Sequence, residues 1–142
     1  MNAVEIEEAI SSLAAAPFDA DEFSFAFLMA FGNKATTIKR LRSGSSNKSD
    51  LGGVLQTNNI HLDVCAAGDV TKTLAQLKAR PATAKAKAKF VLATDGSDLE
   101  AEDLTTGETI ACAYTDFPNH FGFFLPLAGI CPSSEHLAQL AA

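Results

Sequence analysis

Lysine and arginine are absent from the first 33 residues of this 142-residue chain and from everything after Lys89. All eleven basic residues fall between Lys34 and Lys89, where only three acids, Asp50, Asp63 and Asp69, accompany them. The net charge of −6 therefore conceals a middle block of +8 between two acidic blocks. A net-acidic chain ordinarily argues against a polyanionic partner, but the local field follows where the charges lie. Long hydrophobic runs are missing too: none approaches the roughly 18 residues that span a bilayer. The opening Met1-Asn2-Ala3-Val4-Glu5-Ile6-Glu7-Glu8 is acidic where a signal peptide would be basic. A cytoplasmic location with no membrane partner is expected. Cysteine is scarce, with only Cys65, Cys112 and Cys131 and no CxxC pair, which supports neither a zinc site nor a redox motif. Cys65 and Cys112 read as small apolar fillers of strand positions. There is no Gly-x-Ser-x-Gly elbow and no glycine-rich phosphate loop, and His61, His120 and His136 are far apart. No hydrolase triad, no metal and no cofactor bound by this chain is expected.

What is present is a globular composition, 47% apolar and 20% charged, in a length that suits one domain over residues 1–142. Val4, Ile6, Ala9, Ile10 and Leu13 carry helical spacing, with glutamates in the first turn where the helix dipole favours them. After Pro17, Asp19 or Asp21 can cap a second helix in which Phe23, Phe25, Phe27, Leu28 and Phe31 cover most of the circumference. Gly32-Asn33 is a left-handed stop, and Lys34–Arg42 reads as a short basic helix with Ala35, Ile38 and Leu41 inward. Residues 43–49 are a polar loop. Strands at Gly53–Gln56 and Ile60–Cys65 are joined by a tight turn through Thr57-Asn58-Asn59. A helix follows from Gly68-Asp69 to about Leu77, and Pro81 interrupts. Lys85, Lys87 and Lys89 then alternate. Phe90–Thr94 reads as a buried strand ending at Asp95-Gly96, followed by Leu99–Leu104 and Thr109–Tyr114 in an antiparallel meander with acids on its wet face. An aromatic stretch, Phe117–Ile130, and a short capped helix, Ser133–Leu140, complete the chain. The expected fold is α/β, a single domain with a central mixed sheet flanked by helices, distantly like a restriction-endonuclease core.

Three clusters could carry chemistry. The basic segments 34–48 and 72–89 mix cations with hydroxyl and amide donors, as phosphate contacts require. Lys34, Lys39, Arg40, Arg42, Ser45, Asn47 and Lys48 are the nucleic-acid-binding candidates. A restriction-type nuclease needs the pattern D…(D/E)xK. Asp50 could be its first acid, but Gln56 and Asn58 stand where the second acid and the lysine belong. A neutral amide cannot supply the charge a hard divalent cation demands, so these three residues read as vestigial and no catalytic residue is assigned. The row Asp95, Asp98, Glu100, Glu102 and Asp103 reads as a solubilising face opposite Leu99, Ala101 and Leu104, without the spacing of a calcium loop.

Four segments carry a resemblance: Phe31-Gly32-Asn33-Lys34-Ala35-Thr36-Thr37-Ile38-Lys39-Arg40-Leu41-Arg42-Ser43-Gly44, then Gly52–Gln56 with Asn58–His61, then Lys89–Gly96, then Phe117–Ile130. In this order they resemble the N-terminal domain of bacterial class I SAM-dependent DNA methyltransferases of the MmeI-like restriction–modification family. The resemblance covers about residues 1–130 and leaves 131–142 as a non-matching tail. It implies a domain that precedes a helical spacer, a methyltransferase domain and a target-recognition domain, and that in some members holds a D…ExK nuclease centre. SAM is implied only for full-length members, because this sequence contains neither a glycine-rich SAM loop nor an (Asn/Asp)-Pro-Pro-(Tyr/Phe) motif. The expectation is an accessory domain of a type II modification methyltransferase, or a truncated one, that engages DNA phosphates non-catalytically. The alternatives are a module docking on a methyltransferase domain or subunit, and a degenerate metal-dependent nuclease.

Overall fold

The structure, a computed structural model, describes residues 3–44, 47 and 53–128. Three helices come first: α1 (Ala3–Ala15), α2 (Phe23–Ala30) and α3 (Ala35–Ser43). Strands β1 (Val54–Leu55) and β2 (Ile60–Val64) lead into helices α4 (Val70–Ala79) and α5 (Pro81–Lys85). Strands β3 (Phe90–Thr94), β4 (Asp98–Asp103) and β5 (Thr109–Ala113) follow, and then a run of 3-10 turns over Tyr114–Ala128. The sheet order is β1-β2-β3-β4-β5. Only β2 and β3 run parallel, and their crossover is the α4–α5 pair; the other neighbours are antiparallel. A single α/β domain with a mixed sheet between helices is what the element order predicts. The segment Ser133–Leu140 and Cys131 lie outside the described residues.

Side-chain alternation along the strands builds two cores. Ile60 and Leu62, Phe90 and Leu92, Leu99 and Ala101 point into a large core shared with α1, α2, α3 and the 3-10 segment. Val91 and Ala93 point the other way and meet Val70 and Leu77 of α4. On α1, Ile6, Ile10 and Ala14 recur every fourth residue and are buried. The α2 phenylalanines are at the centre of the larger core. Phe23, Phe27 and Phe31 are buried, and the Phe27 ring lies 5.3 Å from Phe124 and 6.3 Å from Phe117. Pro118 and Pro126 prevent the aromatic segment from continuing as an α-helix, so it wraps over α1 in 3-10 turns broken at His120. No side chain caps α2; Asp19 instead accepts a hydrogen bond from the Asp21 amide at 3.0 Å.

One expectation is corrected. The carboxylate row does not form one wet face. Glu100 and Glu102 lie on the face that α4 covers, where Thr71 donates to Glu100 at 2.5 Å and Lys78 to Glu102 at 2.9 Å. Leu104 packs with that same α4 cluster rather than opposite it, and Asp95 and Asp103 close turns. Alternation had assigned one face correctly, but α4 covers the other. After Pro81, α5 carries Lys85, and Lys87 has a left-handed φ of 58°. Proline at the first turn starts a helix readily because its missing N–H is not needed there.

Candidate nucleic-acid interface

Helix α3 begins after Lys34 and ends at Gly44, whose φ of 87° is the left-handed cap that glycine favours. Ile38 and Leu41 are buried, and Lys34, Lys39, Arg40 and Arg42 are all exposed. Residues two apart on a helix diverge by about 200°, so Arg40 and Arg42 face opposite ways. Arg42 turns towards α2. Its guanidinium donates to both oxygens of Glu22, at 2.7 and 2.8 Å, and stacks 4.4 Å from the Phe25 ring centre. The hydrogen bond and charge of Arg42 hold the Glu22 carboxyl below its usual range. Arg42 thus ties α3 to α2 across an exposed ion pair.

Arg40 turns towards the β1–β2 turn. With Thr37, Gln56 and Thr57 it lines a shallow depression of about 180 Å³. On the far side of that turn, Thr57 also lines a second depression of about 410 Å³ with Ala82, Lys85 and Ala86 of the α5 region. Hydrogen bonds fix the turn from both flanks. The Gln56 amide donates to Asn33 Oδ1 at 2.8 Å, next to Lys34, and accepts from the Asn59 side chain. Asn58 N donates to Ala86 O at 2.8 Å, and Lys89 N donates to Asn59 O at 2.7 Å. Asn58 has a φ of 62°, as the Asn-Asn turn predicts. The two basic segments therefore approach each other across this turn, a convergence that no spacing in the sequence reveals.

The remaining candidates have separate places. Asn47 closes the sheet edge: its side chain donates to Gly53 O and accepts from Leu55 N, both at 2.9 Å. Ser45, Lys48 and Asp50 lie outside the described residues. Gln56 and Asn58, the two neutral stand-ins of the nuclease pattern, are the turn residues just described. Lys78 is engaged by Glu102.

An acid followed two positions on by a different residue does occur one strand further in. Strand β2 reads Asp63-Val64 and continues to Cys65. Asp63 is half-buried and lines a cleft of about 430 Å³ with Ser24, Phe25, Arg42 and Asn47. Burial pushes its carboxyl above the usual range. A lone aspartate among Ile60, Leu62 and Val64 is an irregularity visible in the sequence, and the fold places it in this cleft. Cys65, two residues on, has its thiol pushed up by burial and by the nearby carboxylates of Asp95, Asp63 and Asp69. Among the described residues no group of three or more His, Cys, Asp or Glu side chains is placed to hold a metal ion. His61 is fully buried on β2. Thr83 Oγ1 donates to Leu77 O at 2.6 Å and lies 2.8 Å from His61 Nδ1, so the ring donates from Nδ1 and locks the α4–α5 corner to the sheet.

A family model described as "MmeI, N-terminal domain" matches residues 1–140. The chain belongs to this family. As an MmeI N-terminal domain it also resembles a curated relative, DNA methyltransferase A of Bacillus subtilis (strain 168), at 25% identity over 131 residues. That alignment takes in 92% of this domain and 15% of the relative, so the chain spans a small part of the protein it matches. No solved structure matches this MmeI N-terminal domain. No described helix is long and apolar enough to cross a membrane.

Proposed function

We propose that this domain serves a restriction–modification DNA methyltransferase as its N-terminal, DNA-engaging part, and that it contacts phosphates without catalysing a reaction. The observation that carries the reading is the meeting of Lys34 and Arg40 with the hydroxyl and amide donors of Thr37, Thr57 and Asn58 on an exposed surface. Cations supply affinity through counterion release, and neutral donors fix register; neither reads sequence. The family, and the name of the relative as a DNA methyltransferase, support DNA as the partner. Methyl transfer and SAM belong to the longer protein in this reading. The residues here do not suit SAM, because the loop entering α4 has no glycine-rich turn, and its Gly68 amide is already taken by Asp95 Oδ2 at 3.0 Å. Nuclease action is disfavoured by the neutral Gln56 and Asn58 where an acid and a lysine are needed.

The test is a titration of fluorescent duplex DNA with the 142-residue protein at several salt concentrations, with and without magnesium. The expected result is salt-sensitive binding of unrelated sequences with the DNA left intact. Cleavage in magnesium would revive the nuclease reading, and absence of binding at low salt would transfer the surface to a protein partner.

A further inference from the structure

Resting on that reading, we infer that the phosphate-binding surface does not end at α3 but continues across the β1–β2 turn to Lys85 and Lys87, forming one rim that follows a duplex backbone. Its parts are Lys34 and Arg40 on one side, Thr57 and Asn58 in the middle, and Lys85 and Lys87 on the other, all exposed. Thr57 lines the depression beside Arg40 and the depression beside Lys85. The Asn58-to-Ala86 hydrogen bond of 2.8 Å sets the turn directly against the peptide that precedes Lys87. Both residues at this junction, Asn58 and Lys87, have left-handed backbones, with φ of 62° and 58°. For lysine that conformation is disfavoured, and it occurs here at a cation on the exposed rim.

Three other cations of the block reach elsewhere. Arg42 reaches Glu22 beside α2, and Lys78 reaches Glu102 on β4. Lys89 accepts a hydrogen bond at its carbonyl from Leu104 N at 2.7 Å, which puts it beside the acidic turn of Asp103 and Glu108. The turn thus has two cations on each side of two neutral donors, Thr57 and Asn58. That alternation matches a phosphate chain, where charge gives affinity and hydroxyls and amides fix position.

The experiment compares the unmodified protein with two double variants, Lys34→Gln/Arg40→Gln and Lys85→Gln/Lys87→Gln, on duplex DNA between low and moderate salt. Circular dichroism checks that each variant folds. If the rim is continuous, each pair lowers affinity about tenfold or more and flattens the slope of log K against log salt by about 2, each phosphate contact contributing roughly 0.9. An α3 variant that weakens binding beside an α5 variant that does not would overturn the continuous rim and leave the α3 reading standing. No binding by the unmodified protein would overturn both. Equal affinity for polyglutamate would overturn the DNA assignment and give the surface to an acidic protein.

Discussion

Asp95 accepts hydrogen bonds from the amides of Ser97 and Asp98 at 2.8 Å through one oxygen, and from Gly68 at 3.0 Å through the other. It ties the β3–β4 turn to the loop that enters α4. These bonds hold its carboxyl below the usual range, so its contribution is present above the unfolded carboxylate pKa and is lost as pH falls through its own lower value. Asp95→Ala should cost about 1–2 kcal/mol at neutral pH in a denaturant titration, the loss typical of a side chain capping backbone donors. Asp63 has the opposite sign. Burial raises its pKa, so the folded state binds the proton more tightly and stability declines as pH rises through the carboxylate range. Asp63→Asn should therefore raise Tm at pH 7, with the gain shrinking as the solution is acidified towards pH ~4. Gly96 shows a backbone constraint of the same locality. Its φ is 89°, and an added Cβ would lie 2.7 Å from the Phe18 ring, so Gly96→Ala should destabilise by about 1–3 kcal/mol.

At the scale of the element, the sequence reads well wherever one periodicity dominates. The α1 stripe, the basic helix α3, the strand Phe90–Thr94 and the Asn-Asn hairpin all form as their spacing predicts, with ends shifted by one or two residues. The aromatic circumference of α2 predicts burial on several sides, and its rings meet Tyr114, Phe117 and Phe124. Phe27→Ala should cost about 3–5 kcal/mol, measured by chemical denaturation, because it opens a void between α2 and the 3-10 segment. Illegible parts are those decided by a partner element. Glu100 and Glu102 look solvent-facing until α4 lies across them. The half-buried cleft at Asp63 is likewise set by α2 and Asn47, which pack beside β2 from elsewhere in the chain. Nothing local to β1 or β2 distinguishes a hairpin arm from an inner strand. His61 gave no signal at all, since its role depends on Thr83 across the α5 corner.

Across the whole molecule, the charge segregation of the sequence becomes a surface arrangement. At the start of the parallel strands the β1–β2 turn gathers Lys34, Arg40, Lys85 and Lys87. Where those strands end, Asp63, Asp69, Asp95 and Asp98 are grouped by the loops that follow β2 and β3. The candidate site was legible as a set of residue types but not as a place. Of the sequence candidates within the described residues, Lys34 and Arg40 border the turn, Lys39 is exposed on α3, Arg42 pairs with Glu22 and Asn47 closes the sheet edge; Lys85 and Lys87 belong to the second basic segment, 72–89. Position, not residue type, selects the cations proposed to meet DNA. This is tested most directly by Arg40→Gln and Arg42→Gln, measured side by side on duplex DNA at low salt. The prediction is that Arg40→Gln weakens binding severalfold and lowers the salt slope by about 1, while Arg42→Gln stays within about twofold of the unmodified protein. Equal losses from the two, or a larger one from Arg42→Gln, would contradict it.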